Sequence, residues 1–390
     1  MINNFSTTNS FYICNGITFQ SKIKACVYSQ TVNQPVKWVF GLDEIYSKYA
    51  WDVEPTETVD ELYDRRAREL REQYDYIAIS YSGGADSHNV LMSFYRQGLH
   101  VDEVITNHLT SVTEKVTDFS GNDSRPENYN AEHQLNAVAK LQWIKTNMPT
   151  TLVVEIDMGE TVLNSFNPTD ESWVLDQNVG LTIGHRFRTN FFRNKEFKNR
   201  LDTGKKIGFV VGLDKPRTII DNNVLTLVFN DTMMFNSSIH DYNIDYDNVT
   251  IEPFYWSSST APLICKQVHI IKRYLEGSPG RMYYWDINRG FSYEVSRKYH
   301  ERWLRKLLYT TWNDSWYQAD KSKYVWNNEV DDWLKNYNKG TTKEFLWNQG
   351  IELLKKNAKD YVLYKDGKAD GLKAFTVKYP ICKLTSSVNL

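Results

Sequence analysis

Six residues, Ser82-Gly83-Gly84-Ala85-Asp86-Ser87, join an apolar run to a run of helical periodicity, and this junction constrains the fold more than any other stretch of the 390-residue chain. Tyr76-Ile77-Ala78-Ile79-Ser80-Tyr81 reads as a buried strand, and the apolar residues of Asn89-Val90-Leu91-Met92-Ser93-Phe94-Tyr95 recur at helical spacing. A helix is expected over about 86–97, then strands at 101–106 and 151–156 with a helix at 129–147 between them. A loop rich in Asn, Asp, Ser, Gly and Pro fills 107–127, and helical sequence over 172–204 leads into a strand at 206–212. Strands alternating with helices of this length imply right-handed crossovers and an α/β fold built on a doubly wound parallel sheet. Ligands of such sheets bind at the carboxyl ends of the strands, where the strand order reverses. The turn after Tyr81, the stretch Thr106-Asn107 and the turn after Gly212 would all line that edge.

The turn's composition is specific. Two glycines let a backbone approach a charged group closely, and the N–H groups of the new helix point at it. Ser82 and Ser87 add hydroxyls, and Asp86, a carboxylate beside phosphates, makes sense as a ligand to a divalent cation. An ordinary helix cap at Asp86 or Ser87 would explain one residue and leave both glycines and Ser82 without a role. Ser-Gly-Gly-x-Asp-Ser resembles the pyrophosphate loop of the PP-loop ATP pyrophosphatases, and it lacks the Gly-Lys-Ser/Thr of a Walker loop. The resemblance covers roughly residues 74–270 and implies a nucleotide domain of that superfamily's HUP type, with ATP and Mg2+ as its ligands. It implies nucleotide contacts at Ser80, Ser82, Gly83, Gly84, Asp86, Ser87, Thr106 and Gly212, and metal contacts at Asp86 and Asp214.

A second cluster, Gly212-Leu213-Asp214-Lys215-Pro216-Arg217, places a carboxylate and two cations at another strand end. Expelling pyrophosphate requires charge to be neutralised on the α-phosphorus and on the leaving group, which suits Lys215 and Arg217 as catalytic residues beside Asp86. A surface turn with solvated charges is the alternative. Arg186 and Arg188 suit bidentate phosphate contact or decorate a helix start equally well. The resemblance makes Lys266, one turn from His269, a further catalytic candidate, since a lysine from the helical region reaches the pyrophosphate in some relatives, such as the asparagine synthetases; a solvated helix face competes with that role. His88 reads as a helix-surface residue, and no histidine pair has metal-ligand spacing, so no zinc is expected.

Three regions are expected: a β-rich N-terminal cap over 1–73, the nucleotide domain over 74–280 and a helical, Trp-rich region over 281–390. The cap includes strand-like alternation over 11–29 with a hairpin signal at Asn15-Gly16, and a charged helix over 57–73. Residues 223–256 read as strand-rich, Thr260 caps a helix to about Leu275, and a late strand is expected from 371. Seven of the 12 tryptophans follow residue 280, where helix packing and a stacking surface compete as explanations. No apolar window of about 18 residues exists, so no membrane span is expected. A net charge of -2 gives nucleic acid no overall attraction, although Arg186 to Arg200 leaves a local basic patch open. Cys14, Cys26, Cys265 and Cys382 are scattered without a Cys-x-x-Cys, which with the unremarkable N-terminus fits a cytosolic protein.

Within the resemblance, the residues discriminate among reactions. Ile2 stands where asparagine-type synthetases carry a nucleophilic cysteine, and 73 residues are too few for a glutaminase. Paired cysteines of the thiolase kind are missing, and Pro380-Ile381-Cys382-Lys383 does not match the Glu-Cys-Gly-x-His setting of phosphoadenylylsulfate reductases. What remains is an ATP-dependent ligase that adenylates a small-molecule or nucleotide-related substrate and lets an amine or ammonia, from a separate donor, displace AMP. Two alternatives stay open: sulfur transfer through Cys382 or Cys265, and a nucleotide-binding module without turnover.

Overall fold

In the computed structural model, which describes residues 10–113, 133–176, 204–212, 217–222, 224–231, 248–277, 302–316, 334–365 and 368–384, the chain opens with a hairpin. Asn15 (φ 49°) and Gly16 (φ 78°) turn β1 (Phe11–Cys14) into β2 (Ile17–Phe19), two left-handed residues as a tight hairpin turn requires. The strand-like alternation does not continue. Residues Lys22–Val32 form helix α1, because the Ser21 side chain accepts from the Lys24 N–H at one end and Asn33 closes the other in the left-handed conformation. Strand β3 (Val36–Val39) pairs with β1 to complete a three-stranded antiparallel sheet. After the short helix α2 (Asp43–Tyr46), helix α3 (Val59–Gln73) begins at a capping box of Thr58 and Glu61.

The centre is a five-stranded, all-parallel sheet flanked by helices. Its strands are β4 (Tyr76–Ser80), β5 (Glu103–His108), β6 (Leu152–Asp157), β7 (Ile207–Val211) and β10 (Val249–Pro253), in the order β10-β7-β4-β5-β6. The chain therefore enters at the middle, steps outward twice, and returns to the other side of β4. Between β4 and β5 lies helix α4 (Ala85–Tyr95), which packs on α3. Helix α5 (Thr110–Thr113) follows β5, a π-helical turn (His133–Ala137) runs into α6 (Val138–Asn147) before β6, and α7 (Gly159–Ser165) follows it. Helix α8 (Ala261–Glu276) follows β10 and packs on α3. Residues 223–256, expected to be strand-rich, include the fifth parallel strand.

Between β7 and β10 the chain makes a hairpin of β8 (Arg217–Asp221) and β9 (Val224–Asn230). The region after residue 281, expected to be helical with one late strand, contributes a helix over 302–308 and α9 (Thr342–Asn357), then three strands. Of these, β11 (Val362–Lys365) pairs with β12 (Lys368–Leu372), and β13 (Thr376–Lys383) pairs with β9. Phe229 on β9 stacks on Phe40 at 5.0 Å, and Tyr46, Trp51 and Tyr379 close the same aromatic cluster. Lys22 and Asp231, both fully buried, pair at 2.8 Å across that junction. No helix among the described residues is long and apolar enough to cross a membrane.

Candidate functional site

The turn after β4 lies at the carboxyl end of the central strand, between the ends of β5 and β7, where the strand order reverses. Gly83 takes φ +77°, and a methyl group there would lie 2.7 Å from the Ala137 Cα, so both conformation and packing demand glycine. Gly84 is the N-cap of α4 at φ -72°, a conformation open to any residue. Ser87 knits the turn: its hydroxyl donates to the Gly84 carbonyl (3.2 Å) and accepts from the Ser82 N–H (3.2 Å). The Ser82 hydroxyl accepts from the Gly84 N–H (3.2 Å), and Ser82 is exposed at the mouth of the turn.

Two strand ends and a C-terminal segment meet at Asp86. From β7, Gly212 lies so close that a Cβ on it would be 3.1 Å from the Asp86 carbonyl and 3.0 Å from Val90. From the end of β10, the Tyr255 hydroxyl donates to the Asp86 carbonyl oxygen at 2.7 Å. From the far C-terminal region, the Tyr309 hydroxyl donates to the Asp86 carboxylate. Burial, and then the charge of Asp86, push both phenols well above the ordinary tyrosine range, so both remain donors. Asp86 itself is half-buried rather than exposed, as a bare helix start would be.

The other side of the turn is closed by α6. Lys140 is buried, donates from Nζ to the Gly83 carbonyl at 2.7 Å, and faces the rings of Trp312 (4.5 Å) and Trp316 (4.3 Å). His88, expected on the helix surface, is instead buried against Trp312 and Trp316, with Nδ1 3.0 Å from the Tyr81 hydroxyl. Burial, reinforced by Lys140, drives its pKa down to about 3. At the adjoining edge, Thr106 Oγ1, Asn107 Oδ1 and Asn136 Nδ2 are buried without a hydrogen-bond partner among the described residues. Buried polar atoms without a partner are costly.

The structure thus brings together Ser80, Ser82, Gly83, Gly84, Asp86, Ser87, Thr106 and Gly212 along one sheet edge. Lys266 is not with them: it pairs with Glu54 (2.8 Å) and the Pro55 carbonyl (2.9 Å), and His269 bonds the Trp51 carbonyl, so this helix face anchors the N-terminal region. Arg217 is exposed at the first position of β8, paired with β9 rather than joined to the turn by any described contact. Asp214, Lys215, Arg186 and Arg188 lie outside the described residues. Lys140, Asn136, Tyr255, Tyr309, Trp312 and Trp316 were not anticipated at the site. For Lys140 a signal existed: Ala137, Lys140, Leu141 and Ile144 share one buried helical face, so a lysine stands where the period demands an apolar residue.

Among the described residues no group of three metal-ligating side chains converges. The donors at the turn are oxygens only: one carboxylate and two hydroxyls. That set suits Mg2+ arriving on a nucleotide, whose phosphates and waters supply most ligands, and does not suit a resident cation held by protein alone. No protein-family model and no curated protein matches this sequence.

Proposed function

We propose that this chain is an ATP-dependent ligase of the PP-loop ATP pyrophosphatase kind, its parallel sheet doubly wound in the HUP manner. The carrying observation is the Ser-Gly-Gly-x-Asp-Ser turn at the carboxyl end of the central strand, where the sheet's order reverses. The first turn of α4 and the Ser82 hydroxyl would hold phosphates of ATP, with the helix dipole favouring the anion. Asp86 would hold the Mg2+ bound to those phosphates, and the bound cation supplies charge neutralisation for the departing pyrophosphate. Thr106, Asn107 and Asn136 would pair with the rest of the nucleotide through the polar atoms now without partners. An oxygen of the acceptor's carbonyl or carboxylate attacks the α-phosphorus, the bond to the bridging oxygen breaks, and pyrophosphate leaves with the electron pair. An amine or ammonia then displaces AMP.

Thiol chemistry has less support. Burial pushes the Cys265 thiol up to about 12, and its sulfur contacts the Trp51 and Val53 carbonyls at 3.4 Å. Cys382, on β13, is likewise raised. Neither is a ready nucleophile. The test is to incubate the chain with Mg2+-ATP labelled at the α-phosphate and pools of carboxylate and amide metabolites. Release of AMP and pyrophosphate in equal amounts is expected. Tight ATP binding with no release from any pool would favour a binding module, and absence of ATP binding would overturn the proposal.

A further inference from the structure

The segment 309–316 belongs to the C-terminal region, far in sequence from the turn, yet it touches the turn at two separate points. Tyr309 donates to the carboxylate of Asp86, and Trp312 and Trp316 present their rings to Lys140, whose ammonium holds the Gly83 carbonyl. The same indoles pack on His88, at 6.3 and 5.0 Å between ring centroids. Outside these contacts the segment has its own anchors. The Tyr63 hydroxyl donates to the Leu308 carbonyl at 3.1 Å, Gln267 donates to that hydroxyl at 2.8 Å, and Thr310 donates to Asp60 at 2.7 Å. Residues 309–316 are therefore fixed to α3 at one side and pressed on the turn at the other.

We propose that Tyr309–Trp316 is a positioning strap for the nucleotide turn, in which Tyr309 orients the Asp86 carboxylate and the two tryptophans seat Lys140 on Gly83. This inference rests on the reading of the turn as a site for pyrophosphate and Mg2+. A carboxylate carries about four lone-pair directions, so a phenol on one of them fixes the plane in which the others face a cation. Indole faces attract an ammonium while leaving its charge intact, so they hold Lys140 beside the turn as a cation able to meet phosphate oxygens. Tyr309 is thus a positioning residue, acting through Asp86, and the C-terminal region supplies part of the site.

The test uses the full chain and two probes, Mg2+-ATP and Mg2+-pyrophosphate, followed by calorimetry and by the intrinsic tryptophan fluorescence of the chain. For Tyr309→Phe, the Mg2+ concentration giving half-saturation at fixed ATP should rise about tenfold, the usual scale for losing an orienting bond to a ligand. Affinity for ATP in the presence of a chelator should stay at the parent value, a split that a merely structural role would not produce. If the parent binds neither probe, the functional reading falls and the strap with it. If the parent binds and Tyr309→Phe titrates as the parent does, the strap is overturned while the functional reading stands. Should Tyr309→Phe fail to fold, Trp316→Leu decides: pyrophosphate affinity should fall about threefold to thirtyfold, the range of one buried cation–π contact, and an unchanged affinity overturns the proposal.

Discussion

Two places in this molecule are built from a lysine, an aspartate and a tyrosine, and they differ in what surrounds them. At the junction of α1 with β9, Lys22 and Asp231 are sealed from solvent, and Asp231 also accepts from Tyr12 (3.1 Å) and from the Phe375 N–H (3.0 Å). At the turn after β4, Asp86 is half-buried, Ser82 is exposed, and polar atoms of Thr106, Asn107 and Asn136 beside it lack partners among the described residues. The first constellation is sealed from solvent; the second is partly open to it. Residue type alone does not separate an anchor from a site, whereas position at a strand-end edge and access to solvent do.

That contrast predicts opposite responses to mutation. Lys22→Met should give the largest effect on stability, about 3–5 kcal/mol by chemical denaturation, because it strands a carboxylate in a dry interior. Nucleotide affinity of the remaining folded protein should not change. A loss under about 1 kcal/mol, the scale of an exposed pair, would show that the junction is wetter than its burial indicates. Asp86→Asn should do the reverse. Turnover should drop at least about a hundredfold, equivalent to about 2.7 kcal/mol of barrier. The melting temperature should move little, since the amide oxygen still accepts from Tyr309. Full activity in Asp86→Asn would place the cation elsewhere.

Within the turn, the two glycines sharpen the comparison further. Gly83→Ala should cost about 2 kcal/mol, from the left-handed backbone and the close Ala137 Cα together. Gly84→Ala should cost far less stability, because its φ of -72° suits any residue. Equal melting curves for the two variants would contradict the packing of α6 on the turn. A bulkier Gly84→Val tests function instead, by obstructing approach of a phosphate to the first turn of α4.

The sequence was legible where local physics decides the outcome. The apolar run at 76–81 became β4, the strands at 151–156 and 206–212 shifted by one residue at most, and the turn between β4 and α4 stands where its glycines put it. Period-2 alternation failed over 22–32, where two caps outvote it, and β5 begins at Glu103, two residues late. The fifth parallel strand was unreadable because a hairpin interrupts the crossover that would have announced it. At the site, motif residues were found and their partners were not. Tyr309 and the tryptophans reach the turn across more than 200 residues (|i−j| of 223 for Tyr309 and Asp86), and no local pattern encodes such contacts. Lys266 misled for the same reason: its helix face was right, but only the tertiary structure gives it Glu54 as a partner.

The effect that is smallest at neutral pH, and the one that isolates the buried box of His88, Trp312, Trp316 and Lys140 behind the turn, concerns His88. In the folded chain its pKa is about 3, against an ordinary value of 6.5, so an unfolded chain takes up a proton between those values that the folded chain refuses. Stability contributed by the neutral imidazole is complete above pH 6.5 and is lost as pH falls through the window toward 3. The slope from one such group approaches about 1.4 kcal/mol per pH unit. His88→Gln keeps a hydrogen-bonding partner for the Tyr81 hydroxyl and removes the titration. Its melting temperature should therefore fall more gently than the parent's between pH 6.5 and 4, with the two profiles parallel above pH 7. Carboxylates also titrate in that window, but they are common to both proteins and cancel in the difference. Parallel profiles throughout would mean that His88 charges without opening the box, and Trp312, Trp316 and Lys140 would then be a looser lining than the closed junction at Lys22.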